Sequence, residues 1–176
     1  MVFHQYDNLT VRPMSAADVD QILHNFAEQG WPKPREVLEN YLTGQNSGEL
    51  SIFIADRGDD VAGYAVLYPC AKNGPFAGKN IPEISDLIVF IKYQHRGIGN
   101  KILDEAEKAA SSLSSQVSLG VGLHSGYGPA QRIYVQRGYV PDGSGLWYRD
   151  APLEPYADCK NDDGLVLYLS KELRPD

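Results

Sequence analysis

Between Tyr93 and Leu103 the chain reads YQHRGIGNKIL, two glycines around one isoleucine with a histidine and an arginine just upstream. An apolar pattern of helical spacing begins at once, so Gly97 and Gly99 fall at the first turn of a helix. The first N–H groups of a helix have no internal partners, and the helix dipole adds partial positive charge there. Glycine lets a bulky anion approach that backbone, and His95 and Arg96 add donors. The chemistry open to such a stretch is the holding of a phosphate; the other reading is a tight turn with no further task. Two familiar phosphate loops fail on spacing. G-x-x-x-x-G-K-[ST] requires a lysine directly after its second glycine, and here Asn100 follows Gly99. G-x-G-x-x-G requires a third glycine where this chain has Ile102.

The elements that must position this loop can be read from periodicity and turn residues. IPEISDLIVFI (Ile81 to Ile91) leads into it as a long apolar run, suited to a strand buried on both faces. The helix after it runs to about Ser114, with Ile98, Ile102, Leu103, Ala106, Ala110 and Leu113 on one stripe. Upstream, LTVRPM is a short strand ended by Pro13, and Ser15 with Asp18 opens a first helix in a pattern close to a capping box. A second short helix carries Val37, Leu38, Tyr41 and Leu42. LSIFIAD and VAGYAVLY, joined by RGDD, form a hairpin. Downstream, QVSLGVGL is a strand, PAQRIYVQRGY a helix ended by Gly138, and LVLYLS a last strand. The segment from Pro141 to Gly164, rich in Gly, Pro and Asp, is expected as a long loop.

Bulk properties narrow the class. A chain of 176 residues with 43% hydrophobic content suits one domain with a sizeable core. A net charge of −7 argues against a general nucleic-acid binder and mildly favours basic partners. Cys70 and Cys159 form neither a metal spacing nor a disulfide framework. With no basic leader and no long apolar run, a reduced cytoplasmic protein without membrane contact is the expectation, and no metal site is expected.

QHRGIG (Gln94 to Gly99), directly after a long apolar strand and opening a helix, resembles the Q/R-x-x-G-x-G/A signature of the GNAT superfamily of N-acetyltransferases. AQRIYVQRGY (Ala130 to Tyr139) resembles the A-x-x-x-Y-x-x-x-G-F/Y segment of that family's last helix, and the order of elements agrees across nearly the whole chain. The resemblance implies an α+β fold: one GNAT-like domain over residues 1–176, with a mixed, mostly antiparallel sheet flanked by helices. It implies acetyl-coenzyme A as co-substrate. The pyrophosphate would rest on the backbone around Gln94, His95, Arg96, Gly97, Ile98, Gly99 and Asn100. The pantetheine arm would pair with the backbone of Leu87, Ile88 and Val89, as an added strand does. Two positions depart from the pattern. Gln94 replaces the commoner arginine, and Tyr127 stands where many members carry a coenzyme-holding asparagine.

Acetyl transfer to an amine needs a neutral nucleophile, a stabilised oxyanion and a proton for the leaving thiolate. Glu83, eleven residues before Gln94, is the first candidate base: an extended strand spans on the order of 30 Å over that length. It also reads as a water-facing residue at the strand start. Asp86 competes, because a carboxylate inside an apolar run is costly unless satisfied. The two have opposite strand parity, which a bulge would change. His124 is a third candidate, or simply a loop histidine. Tyr134, four residues before Gly138, is the candidate acid by the resemblance, or a core aromatic. Trp31, Trp147 and Tyr148 are placed in loops, where they line an apolar or cation-binding pocket, cover a homodimer contact or patch the core; the expected acceptor is a small-molecule or peptide amine. Beside the enzyme stand two other readings: a non-catalytic acyl-coenzyme A sensor of the same fold, and a nucleotide-binding α/β protein, which the failed spacings disfavour.

Overall fold

A computed structural model describes residues 2–173; Met1 and residues 174–176 of the expected domain lie outside them. The chain forms two compact units, residues 1–68 with 85–109, and residues 69–84 with 110–176. Among the described residues the fold is α+β, with four helices flanking mixed, mostly antiparallel strands.

In the first unit the strands run in the order β1 (His4–Tyr6), β2 (Leu9–Arg12), β3 (Ser51–Asp56), β4 (Val61–Tyr68) and β5 (Glu83–Val89), whose first two residues belong to the second unit. The expected hairpin is β3–β4. Its turn closes by Arg57 N–H donating to the Asp60 carbonyl at 3.0 Å, with Gly58 at φ +91°. Helices α1 (Asp18–Glu28), α2 (Arg35–Ser47) and α3 (Ile98–Ser111) belong to the same unit for all or most of their length. Asp18 is buried, yet it is satisfied. It accepts the Ser15 N–H at 2.6 Å, half of the expected capping box, and both terminal nitrogens of Arg12 at 2.8 Å each. Burial alone would raise the Asp18 carboxyl, but the Arg12 guanidinium and Ser15 together hold it below its ordinary range. Val19, Ile22 and Phe26 of α1, Leu38 of α2, and Ile52, Ile54 and Tyr64 of the hairpin meet Phe90 in one core. The α3 stripe is buried from Ile98 to Ala110, whereas Leu113 lies beyond the helix and is exposed.

Strand β5 differs from expectation in two ways. It is shorter, and residues 85–89 are half-buried rather than enclosed on both faces. At Asp86 the backbone turns left-handed, φ +50°, which interrupts the two-residue alternation.

The second unit holds β6 (Gln116–Gly122), β9 (Leu165–Glu172), β7 (Val140–Tyr148) and β8 (Ala151–Pro152), in that spatial order. β6 and β9 pair antiparallel from Gln116↔Glu172 to Gly122↔Val166. The start of β5 runs parallel to β6, with Glu83 opposite Ser118. Helix α4 (Gly128–Gln136) ends as expected, with Gly138 at φ +88°. The segment expected as a long loop contains β7 and β8 instead. Gly143 and Gly145, both left-handed, mark a register shift between Pro141 and Leu146 rather than a loop. Arg149 and Asp150, both at positive φ, make the two-residue turn to β8 without the usual Asn-Gly signal. Trp147 and Tyr148 therefore lie on a strand, and Trp147 packs edge-on against Tyr168 at 5.6 Å. Among the described residues no helix is long and apolar enough to cross a membrane.

Gly63 on β4 leaves no room for a side chain. A Cβ there would stand 2.3 Å from the Ile88 carbonyl oxygen and 3.0 Å from the Val89 Cα, both backbone atoms of β5. Gly63→Ala is expected to lower stability by about 1–3 kcal/mol, the ordinary cost of overpacking, read as a lower urea midpoint at unchanged slope.

Candidate active site

The glycine loop lies in the first unit. A short 3-10 turn over Ile91–Tyr93 carries the chain from β5 to the loop, and Ile98 begins α3. Tyr93 anchors that turn by donating its hydroxyl to Asp60 at 2.8 Å. His95 and Gly97 are left-handed, at φ +61° and +74°. The backbone thus reverses before the helix starts, and the first-turn N–H groups have no intrahelical partners. Ile98 and Gly99 are buried, while His95, Arg96, Gly97 and Asn100 are exposed. Any contribution of Ile98 to a ligand therefore comes from its backbone.

Gln94 makes contacts within the chain. Its N–H donates to the Ile91 carbonyl at 3.2 Å, and its side-chain amide donates to the Val89 carbonyl at 3.0 Å. It ties the loop to the end of β5. Three cations gather at the Tyr93 ring, with Arg57, Lys92 and Arg96 at 5.4, 5.3 and 5.9 Å from its centre. Lys92 is already paired with Glu28 and Asp60, at 3.0 and 2.8 Å, so its charge is offset there. Arg57 has no sequence signal for its place at the ring: it sits in the β3–β4 turn and arrives by folding.

Asp86 is satisfied. One carboxylate oxygen accepts from the Tyr64 hydroxyl at 2.7 Å and the Tyr41 hydroxyl at 3.2 Å, and contacts Lys33 Nζ. Burial, then the Asp86 charge, pushes both phenols above their ordinary range. Sequence reasoning caught the anomaly at Asp86 but missed Lys33, Tyr41 and Tyr64, which no spacing links to it.

The other candidates lie in the second unit. Glu83 is half-buried at the start of β5, so the water-facing reading fails. Burial pushes its carboxyl up to about 7, further helped by the Asp150 charge and opposed by the Lys72 backbone N–H. A carboxyl at that value gains and loses a proton near neutrality. The same burial, with Glu83 and Asp150, pushes the Tyr168 phenol up to about 12. Tyr134 is buried on α4, edge-on to Tyr139 at 5.7 Å. Burial, then Tyr127, pushes its phenol well above the ordinary range, so it stays protonated and able to donate.

His124 is engaged at both nitrogens. Nδ1 accepts the Gly126 N–H at 3.1 Å, and Nε2 faces Asp163 at 3.0 Å. With Nδ1 as acceptor, the proton sits on Nε2 and points at the carboxylate, leaving no lone pair for an amine. Tyr127, at the position of the missing asparagine, donates to the same Asp163 oxygen at 2.9 Å, and its ring covers Gly122. Among the described residues no cluster of three or more His, Cys, Asp and Glu is placed to hold a metal ion.

A left-handed glycine loop opens a helix behind a strand that carries the left-handed Asp86, in an α+β fold. Residues 17–139 match the family described as Acetyltransferase (GNAT) family, and the chain belongs to it. The resemblance carried by QHRGIG and AQRIYVQRGY is thus confirmed, and the protein is of the acetyltransferase class. Solved structures with the same fold include RimL, a ribosomal L7/L12 alpha-N-protein acetyltransferase in complex with coenzyme A (TM-score 0.73, 9% identity, 98% of each chain covered). Another is NAA60 of Arabidopsis thaliana in complex with a bisubstrate analogue (TM-score 0.69, 17% identity, 94% of this chain and 98% of that one). A third is yncA from Salmonella typhimurium with its cofactor acetyl-CoA (TM-score 0.67, 16% identity, 97% and 96%). No curated protein sequence matches the chain.

Glu83 has a consequence for stability. Its carboxyl rises from an ordinary 4.5 to about 7 on folding, so the folded state binds the proton more tightly. Its contribution is present below about 4.5 and is lost as the pH rises through about 7. Glu83→Gln is expected to gain melting temperature relative to the parent as the pH goes from 5 to 8. Parallel thermal melts of the two proteins across that range would show a constant difference if Glu83 were not shifted.

Proposed function

We propose that residues 1–176 act as one N-acetyltransferase domain that moves an acetyl group from acetyl-coenzyme A to a primary amine of a small molecule or peptide. The observation that carries the reading is the pairing of proton demands: Glu83 lies at about 7 and Tyr134 stays protonated. Glu83 takes the proton from the incoming ammonium, directly or through water. The neutral amine forms the new C–N bond at the thioester carbonyl, and the C–S bond breaks. Tyr134 supplies the proton for the departing thiolate, and the second proton shed by the new amide nitrogen returns through water to the phenolate. Burial raises both groups, which leaves Glu83 near neutrality, where it can take up a proton, and keeps the Tyr134 phenol protonated, so that it can give one.

The loop supplies the anion site. First-turn N–H groups after Gly97, with Arg96 beside them, suit the pyrophosphate. Gln94 ties the loop to the end of β5. Leu87, Ile88 and Val89 offer backbone to the pantetheine arm; the Gln94 contact at Val89 takes up part of that carbonyl's capacity. The residues present suit the coenzyme, with Gln94 and Tyr127 as the two departures from the family pattern.

Acetyl-coenzyme A at a hundred times its Kd is expected to add about 2.7 kcal/mol to stability, a rise of several degrees in melting temperature. Gly97→Val is expected to abolish that rise, because a β-branched residue is strained at φ +74° even though a Cβ meets no atom within 4 Å.

Glu83→Gln and Tyr134→Phe are each expected to lower kcat on the acceptor by about 10²- to 10⁴-fold with little change in KM for acetyl-coenzyme A. Glu83→Gln should also remove a limb of the kcat/KM profile near pH 7. Free-thiol release across a panel of amines measures both. A protein that binds the coenzyme and releases no thiol with any amine would instead be a non-catalytic acyl-coenzyme A module.

A further inference from the structure

The cluster around Asp86 encloses an ammonium ion that belongs to the chain itself. Lys33 lies in the connection between α1 and α2. Its Nζ stands 5.3 Å from the ring centre of Phe26, 5.5 Å from Tyr64 and 5.8 Å from Tyr41. It donates to the Tyr64 hydroxyl at 2.8 Å and contacts the Asp86 carboxylate. Three aromatic rings and one carboxylate around one cation form the kind of cage that recognises alkylammonium groups. The lysine and aspartate side chains remain 17% and 18% exposed, so water reaches the edge of the cage. Lys33 enters it only by a flexible four-carbon stem.

We propose that this cage is a binding site for the primary ammonium group of an aliphatic amine, and that Lys33 is its tethered occupant. An incoming alkylammonium makes the contacts that Lys33 gives up, and the released lysine head returns to water. The tether sets the competition. An occupant on a short flexible link acts at an effective concentration of about millimolar, so a free amine is held off until Lys33 leaves. Asp86 and the rings favour the charged form, so the cage recognises an ammonium and does not activate it. If the proposed transferase reading holds, the acceptor class is set as well: an aliphatic amine with one charged ammonium to be recognised and a second amine to react, as in a diamine or a lysine-like molecule.

The test is binding without acetyl-coenzyme A. Wild type, Lys33→Ala and the double variant Lys33→Ala with Asp86→Asn are titrated with n-butylammonium chloride, with n-butanol and sodium chloride as controls, and followed by melting temperature. The Lys33→Ala protein is expected to show a saturable rise at a concentration at least about tenfold lower than wild type. The rise should vanish in the double variant and with n-butanol. No saturable rise in Lys33→Ala, or an equal rise in the double variant, overturns the proposal. Should the variants fail to fold, wild type with ¹⁵N-labelled lysine carries the test. The Lys33 Nζ signal is expected to move toward that of a solvated lysine as n-butylammonium is added, and a signal that stays fixed overturns the proposal. Neither readout needs turnover, so failure of the transferase reading, seen as absent thiol release, is distinguishable from failure of the cage.

Discussion

A single carboxylate, that of Asp86, sets the shape of the strand on which the coenzyme reading depends. Its residue takes a left-handed backbone in the middle of β5, a conformation that non-glycine residues adopt at a cost of order 1–3 kcal/mol. Such a conformation persists only where the surroundings over-determine it. Here the Tyr64 hydroxyl, the Tyr41 hydroxyl and Lys33 all converge on one oxygen. They come from β4, from α2 and from the α1–α2 connection, so three separate elements of the first unit fix one kink. A buried carboxylate with no such partners would cost several kcal/mol. The hydrophobic core of that unit, with Phe26 and Tyr64 at its centre, is what brings the partners into place.

Past the kink, backbone rather than side chains governs the arrangement. Gly63 lets β4 and β5 approach until the Ile88 carbonyl lies where a Cβ would be. Beyond Val89, Gln94 fastens the loop to the strand end, and Tyr93 fastens the 3-10 turn to Asp60. The loop therefore meets the helix at a fixed angle, with Gly97 supplying the reversal. The cations at Tyr93 add charge, but exposed charges at this distance act weakly and are screened by salt. In the proposed anion site the geometry of the N–H groups would carry more than Arg96 does.

The parts legible in the sequence are those whose signal is local. Helical and strand periods place α1–α4, the β3–β4 hairpin, β6 and β9, because apolar spacing follows burial directly. The QHRGIG loop is legible because glycine at a helix start has few other causes. The β7–β8 hairpin is not, since its turn uses Arg149 and Asp150 at positive φ and its glycines mark a register shift. The anomaly at Asp86 is visible as a charge in an apolar run, but its resolution is not. Lys33 lies 53 residues away in sequence and Tyr64 lies 22, and nothing but the fold brings them to one oxygen. His124 reads as a base from residue type alone. Only its contacts with Gly126 and Asp163 show that both nitrogens are already spent.

The two carboxylates of β5 show how little residue type decides. Glu83 and Asp86 stand three positions apart on one strand, and by residue type either could act as a base. Their surroundings separate them. Asp86 receives a cation and two phenols, each of which stabilises its charge. Glu83 receives one backbone N–H, loses water to burial and faces a second carboxylate at Asp150, each of the last two working against its charge. The first is bound into structure by its contacts, and the second is left near neutrality with a proton to exchange. The kink at Asp86 is also what frees the two from strict alternation along the strand. A substitution that straightened β5 would thus disturb both the held carboxylate and the strand that carries the exchanging one, which ties the proposed chemistry of Glu83 to a contact made three residues later in the chain.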